Sequence, residues 1–445
     1  MLKKTLYGVS TLALVSVAHA QTATPTAPTT VATGITSTAK VKAPKLTLGE
    51  QLYNDGVSIS LGYTGEAAGN PTGGKRQGAD YAGQVAVGAD FDMNKIANWQ
   101  GATIHVTFTE RHGRNLAQDY IGNNTSVQEI YGTQNVHLAN FTVEQKLLDN
   151  RLDITAGRTV ANIAFLGSPL YCLFQSNSAC GNPTFVFKDS NFTYWPASSW
   201  GGDAKFLFTP DTYIHAGVYE VSPEDKTLGN HGFAWGGKGD TGVIAPAELG
   251  YTPEAGALYA VGGWYDSGAY TDPLNNSEGT PALLSNTPYA QHHDRSGMFV
   301  RFNQDIMPNL AVFGVFMTKL SGHVDEKQYY ELGIVKTAPF ASRPNDKVGF
   351  VVNDQEFTSN FIDNIKAGRA SVGESTGGIA HREIMMELHY DAQVTPAITF
   401  EPNLQYVINP DQASEPTRPK SIPNAFVVGV KFTVDIARLV GLSPQ

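Results

Sequence analysis

Side chains with reactive chemistry are few in this 445-residue chain, and they are scattered. Cys172 and Cys180 are the only two cysteines. In an exported chain two thiols pair, and closing so short a loop adds roughly 2–3 kcal/mol on the chain-entropy model. His292-His293-Asp294 has the residue types of a metal centre. Adjacent residues rarely supply a complete ligand set, so the stretch reads as a solvated loop and no metal is expected. Acidic pairs do glycoside chemistry only at a set carboxylate separation, which no sequence gives. There is no P-loop or C-x-x-C pair, so neither an enzyme nor a cofactor is expected. What remains is a set of isolated charges, Arg111, Arg158, Lys205, Glu220 and Arg301, and the W-P-A-S-S-W-G-G cluster with Trp195 and Trp200.

The elements that must position these residues follow from composition and periodicity. Residues 1–20 read as a secretory signal, with Lys3 and Lys4, the apolar stretch Leu6 to Val17, and Ala18-His19-Ala20 before the cleavage point. Residues 21–45 are mostly Thr, Ala and Pro, a flexible linker with nothing to bury. Losing Lys3 and Lys4 takes the formal charge from -10 to -12, which argues against a nucleic-acid partner. Charged residues are 16%, well under the roughly 25% of soluble domains. Beyond the signal, no apolar run approaches the roughly 18 residues of a spanning helix. Low charge without such helices points to strands, and 45 Gly, 22 Phe and 19 Tyr suit a sheet with many turns and an aromatic belt.

Period-two alternation bounded by turn residues predicts sixteen strands, starting near Ser58, Tyr81, Gly101, Val136, Leu152, Asp203, Tyr213, Thr241, Ala257, Gly297, Leu310, Gln328, Lys347, Arg382, Ala397 and Ala425. A short amphipathic element over Leu46 to Asp55 precedes them. Short turns such as L-L-D-N-R and T-P-D-T alternate with polar loops at 66–80, 112–135, 159–199, 222–240, 266–296, 357–381 and 409–424. Only the loop after Lys319 is short where a long one is expected. The fold class is therefore all-β: a transmembrane antiparallel β-barrel of 16 strands over residues 46–436, with short periplasmic turns, long extracellular loops and a tail at 437–445.

Parity sorts the strands into two faces. Ile104, Val106 and Phe108 face outward against His105, Thr107 and Thr109 inward; Met298, Val300 and Phe302 oppose Arg301 and Asn303; Ile384, Met386 and Leu388 oppose Glu383, Glu387 and His389. In the last strand, Ala425 to Ile436, Phe426, Val428 and Val430 face outward while Lys431 and Asp435 face the lumen. The interior is expected to be wet and charged.

The chain resembles the carbohydrate-selective porins of the OprB type from about Leu61 to Phe432. The stretches that carry the resemblance include L-G-Y-T-G-E-A-A-G-N, R-H-G-R-N-L at 111–116, T-A-G-R at 155–158, Y-C-L-F-Q-S-N-S-A-C-G-N-P at 171–183, S-W-G-G-D-A-K at 199–205 and P-N-L-Q-Y-V-I-N-P at 402–410. The resemblance implies a sixteen-stranded outer-membrane barrel of a Gram-negative cell. Small carbohydrates such as glucose would diffuse through it, with outer-membrane lipid outside and one or three copies per assembly. A sugar-selective constriction needs charged partners for hydroxyls and an aromatic face for C–H groups. The expected set is Arg111, Arg158, Lys205, Glu220 and Arg301, with Trp195 or Trp200 for stacking. Parity puts Arg111 in the lumen and Arg158 and Glu220 outside, so those two require a bulge or a strand end. Cys172 and Cys180 would staple the loop that narrows the pore. The rival readings are a barrel enzyme of the outer membrane and a non-conducting surface or adhesion barrel.

Overall fold

The computed structural model describes residues 46–180 and 185–443. The signal and linker expected at 1–45 lie outside these residues. The strands are β1 (Val57–Thr72), β2 (Ala79–Asp92), β3 (Ala102–Gly113), β4 (Val136–Leu147), β5 (Leu152–Thr159), β6 (Ser199–Leu207), β7 (Thr212–Val221) and β8 (Gly242–Tyr251). They continue as β9 (Leu258–Asp266), β10 (Arg295–Met307), β11 (Leu310–Ser321), β12 (Glu326–Thr337), β13 (Lys347–Phe357), β14 (Arg382–Thr395), β15 (Ile398–Ile408) and β16 (Ala425–Asp435). Each pairs antiparallel with its chain neighbours, and β1 pairs with β16 to close a sixteen-stranded barrel. Closure leaves no unpaired edge, the one arrangement of strands that satisfies every backbone group in hydrocarbon.

Alternation sorts the wall as parity requires. Val87, Phe108, Val300, Leu332, Leu388, Leu404 and Val428 are exposed around the outside, while their inward neighbours His105, Thr107, Arg301, Glu387, Asn403 and Lys431 are buried. An apolar exterior over a polar interior is the pattern of a wall with lipid on one side and water on the other.

Two expectations about the elements change. The stretch 66–80 is a tight hairpin, because β1 runs on to Thr72 and β2 begins at Ala79. Ala and Gly dominate there, so no hydrophobic alternation marks the strand. Asn70 shapes the turn instead, donating to the Gly73 and Arg76 carbonyls (3.0 and 2.9 Å) and accepting from the Gly78 amide. Gly73 has φ +77°, and a Cβ on it would meet the Asn424 carbonyl, so no other residue fits. The last strand stops at Asp435, whose side chain accepts from the Arg438 amide at 2.9 Å and caps a short helix, Ile436–Leu439. Asp435 therefore ends the strand with its carboxylate engaged by the helix that follows. The described part of the tail returns to the helix Leu48–Asn54, which the amphipathic pattern predicts, through a bond from the Gly49 amide to the Gly441 carbonyl.

Candidate functional site

The connection from β5 to β6 does not stay outside the barrel. It crosses the lumen and packs Phe165, Tyr171, Leu173, Phe174, Phe185 and Phe192 against Tyr219, Trp264, Phe299, Phe313, Met317, Tyr329 and Val351 on the inner wall. The interior is therefore not wet all round: β7 to β13 present an apolar inner seat, and this loop covers it. The signal was present in the parity, since Phe299 lies between the outward Met298 and Val300 and must point inward. A large aromatic facing a lumen needs a cover.

Polar groups of the wall then fix the loop backbone. Glu387 accepts from the Gln175 and Ser176 amides, both at 2.7 Å. Lys431 donates to the Cys172 and Phe174 carbonyls at 2.9 and 3.4 Å. Tyr329 donates to the Ser178 carbonyl at 2.5 Å, and Asn403 donates to the Gln175 side chain at 2.7 Å. Cys172 and Cys180 are disulfide-bonded, closing the segment that these groups hold. A second loop, 114–135, also folds inward. Its Ile130 amide donates to the Glu66 carboxylate, and it joins the first loop through Glu129 N to Gln175 O (2.9 Å) and Asn177 N to Ser126 O (3.0 Å).

The rest of the lumen wall carries two of the expected groupings. Arg111 donates from Nε to Gln84 Oε1 at 2.7 Å, and Trp195 donates its ring N–H to the same oxygen at 3.2 Å. Arg111 also reaches the Gly132 carbonyl at 3.3 Å, so a guanidinium and an indole are held side by side. The other grouping is a row across four strands. Lys205 lies 3.9 Å from the Tyr213 ring centre, the Tyr213 hydroxyl donates to Glu248 Oε1 at 2.6 Å, and Arg301 grips Glu248 with two bonds of 2.6 and 2.8 Å. Arg301 also donates to the Gly167 carbonyl at 2.6 Å, tying this row to the inward loop. Gln84, Tyr213 and Glu248 were not among the expected residues. Tyr213 and Glu248 share the inward parity of Arg301, and in-register pairing brings them together: Lys205 lies opposite His215, which lies opposite Glu248.

Arg158, Glu220 and Trp200 are not in the lumen. Arg158 pairs in register with Phe141 on one side and Trp200 on the other, and Phe141 is exposed on the outer wall. No bulge turns these residues inward. The loop 222–240 folds back over the outside and buries Arg158 there, where it donates to Glu220, Asp225 and the Ala234 carbonyl at 3.1, 2.9 and 3.1 Å and to the Ser198 carbonyl. Trp235 of that loop stacks on Phe141 at 6.2 Å and meets Trp200 edge-on at 5.9 Å. Burial raises the Asp225 carboxyl against the pull of Arg158. The parity was right, and the covering loop was the feature no periodicity could show.

A closed barrel of sixteen antiparallel strands, apolar outside and constricted by its own inward loop, is the architecture of a porin. The model of the carbohydrate-selective porin, OprB family, matches residues 76–436, and the chain belongs to that family. It is 30% identical to Porin B of Pseudomonas aeruginosa over 86% of this chain and 88% of that one. It is 29% identical to a protein of Acinetobacter baylyi described as putative porin QuiX, over 87% and 90% of the two chains. Among solved structures, the high-pH structure of Pseudomonas putida OprB matches with a TM-score of 0.79 and 29% identity, covering 86% of this chain and 95% of that one.

Proposed function

We propose that the chain sits in the outer membrane of a Gram-negative cell and lets monosaccharides such as glucose diffuse passively past the inward loop. The observation that carries this reading is the Arg111–Gln84–Trp195 grouping beside that loop. A sugar has hydroxyls round its edge and C–H groups on its faces. A guanidinium with an amide meets the first, and a half-buried indole face meets the second. The row of Lys205, Tyr213, Glu248 and Arg301 adds further charged partners on the same lumen wall.

Transport needs weak binding, because a solute held tightly does not leave. A dissociation constant near ~1 mM corresponds to only about -4 kcal/mol. One aromatic contact and a few hydrogen bonds at roughly 1 kcal/mol each reach it. The test is glucose entry into proteoliposomes, followed by swelling. Arg111→Ala and Trp195→Ala are each expected to weaken the competition between glucose and a second sugar by about tenfold, equivalent to about 1.4 kcal/mol. Arg158→Ala, outside the wall, is expected to leave it unchanged. Equal effects at all three positions, or none at Arg111 and Trp195, would remove this grouping from the sugar path.

A further inference from the structure

The outer rim carries a group of side chains that sugar passage does not use. Asp272 and His292 come from the connection between β9 and β10 and His323 from the turn between β11 and β12, yet their ligand atoms lie within 4.8 Å of one another. His292 Nε2 is 2.8 Å from Asp272 Oδ2, and His323 Nδ1 is 3.5 Å from the same oxygen. The two imidazole rings stack with centroids 4.6 Å apart and an interplanar angle of 14°. We propose that Asp272, His292 and His323 bind a divalent transition-metal ion of the zinc type at the mouth of the barrel.

The geometry is nearer to a ligand set than to an ordinary Asp–His pair. Zinc bonds nitrogen and oxygen at about 2.0–2.2 Å in a tetrahedron, which puts neighbouring ligand atoms about 3.3 Å apart. The separations of 2.8 and 3.5 Å bracket that edge. One hydrogen bond to the carboxylate accounts for one histidine, while the second aims its nitrogen at the same oxygen from a stacked position. The carboxylate is oriented from behind: Asp272 Oδ1 accepts from the Leu274 and Asn275 amides at 2.8 and 2.7 Å, leaving Oδ2 directed at the imidazoles. Such outer partners fix first-contact ligands in metal sites.

Each ligand is also held by its backbone. Tyr270 and His292 pair in register in a two-stranded ribbon, and the Asp272 amide donates to the Ala290 carbonyl at 2.8 Å. The turn bearing His323 is fastened by its own amide on the Tyr270 hydroxyl (3.3 Å) and by Thr358 on the Val324 carbonyl (2.8 Å). Asp272 is buried while the His323 side chain is half-exposed, so an ion arrives from the outer medium and a small swing of the His323 ring completes the set. Three protein ligands leave a fourth position for water, and the bound ion fastens the loop between β9 and β10 to the turn between β11 and β12. The neighbouring His293 and Asp294 take no part: His293 donates to the Ser267 carbonyl, and Asp294 accepts from the Tyr265 hydroxyl.

Zinc titration of the full-length purified protein, carrying no polyhistidine tag, tests this by calorimetry and by competition with a zinc indicator. One zinc per chain is expected. His323→Ala and Asp272→Asn should each weaken binding at least about tenfold, and His293→Ala should leave it unchanged. His323→Ala replaces an exposed side chain, so it remains informative if Asp272→Asn disturbs the loop. Absence of binding, or binding that survives His323→Ala or is lost equally with His293→Ala, would overturn the assignment.

Discussion

Arg301→Ala is expected to lower the unfolding free energy of the barrel by about 3–5 kcal/mol, the cost of leaving a buried carboxylate without its partner. Glu248 is only 2% exposed, and both its oxygens are held by Arg301. Alanine also withdraws the donor to the Gly167 carbonyl, so the inward loop loses an anchor. The loss comes from orphaning the carboxylate more than from the pair itself. The double variant Arg301→Leu with Glu248→Leu should therefore cost less than Arg301→Ala alone. Denaturant unfolding in detergent, followed by tryptophan fluorescence, measures both. A cost under about 1 kcal/mol for Arg301→Ala would class the pair with solvent-exposed bridges and place it in open water.

Replacing residues 163–190 with a short Gly-Ser bridge is expected to raise single-channel conductance several-fold and to abolish block by glucose. Thr159 and Ser199 lie opposite one another in the β5–β6 pairing, so a short bridge rejoins the strands without moving the wall. Closure between β1 and β16 involves none of the excised residues. The excision removes Phe165, Tyr171, Phe174 and Phe185 from the seat they fill, and it exposes Phe299, Phe313 and Tyr329 to the lumen. A sixteen-stranded wall without its internal loop encloses an aqueous channel. Unchanged conductance would mean that the current path does not pass the loop.

The wall of the barrel was legible because a strand between lipid and water writes its two faces into alternate residues. Val300 outward and Arg301 inward is such a case, as is Val428 against Lys431. The stretch Glu66 to Thr72 was not legible, since Ala and Gly on a hairpin-closing strand carry no alternation. Of the residues expected at the constriction, Arg111, Lys205, Arg301 and Trp195 face the lumen or its loop. Arg158, Glu220 and Trp200 were drawn to the constriction by their charge and by the run from Trp195 to Gly202. Trp195 belongs to the loop and Trp200 to β6, so one cluster in sequence divides between two faces of a wall. Where a long loop goes depends on apolar seats and carboxylates distant in sequence, such as Phe313 and Glu387 under residues 165–176. That information is spread over strands that local periodicity treats one at a time. His292 shows the same limit: its partners Asp272 and His323 are brought to it by loop packing, while its sequence neighbours point elsewhere.

The most direct test of a sugar-binding pore is the conductance of the purified protein in a planar bilayer, titrated with glucose and with a non-sugar solute of similar size. Stepwise channels that glucose blocks at millimolar concentration, and that the control solute leaves open, are the predicted result. Channels equally indifferent to both solutes, or a bilayer that stays silent, would contradict it.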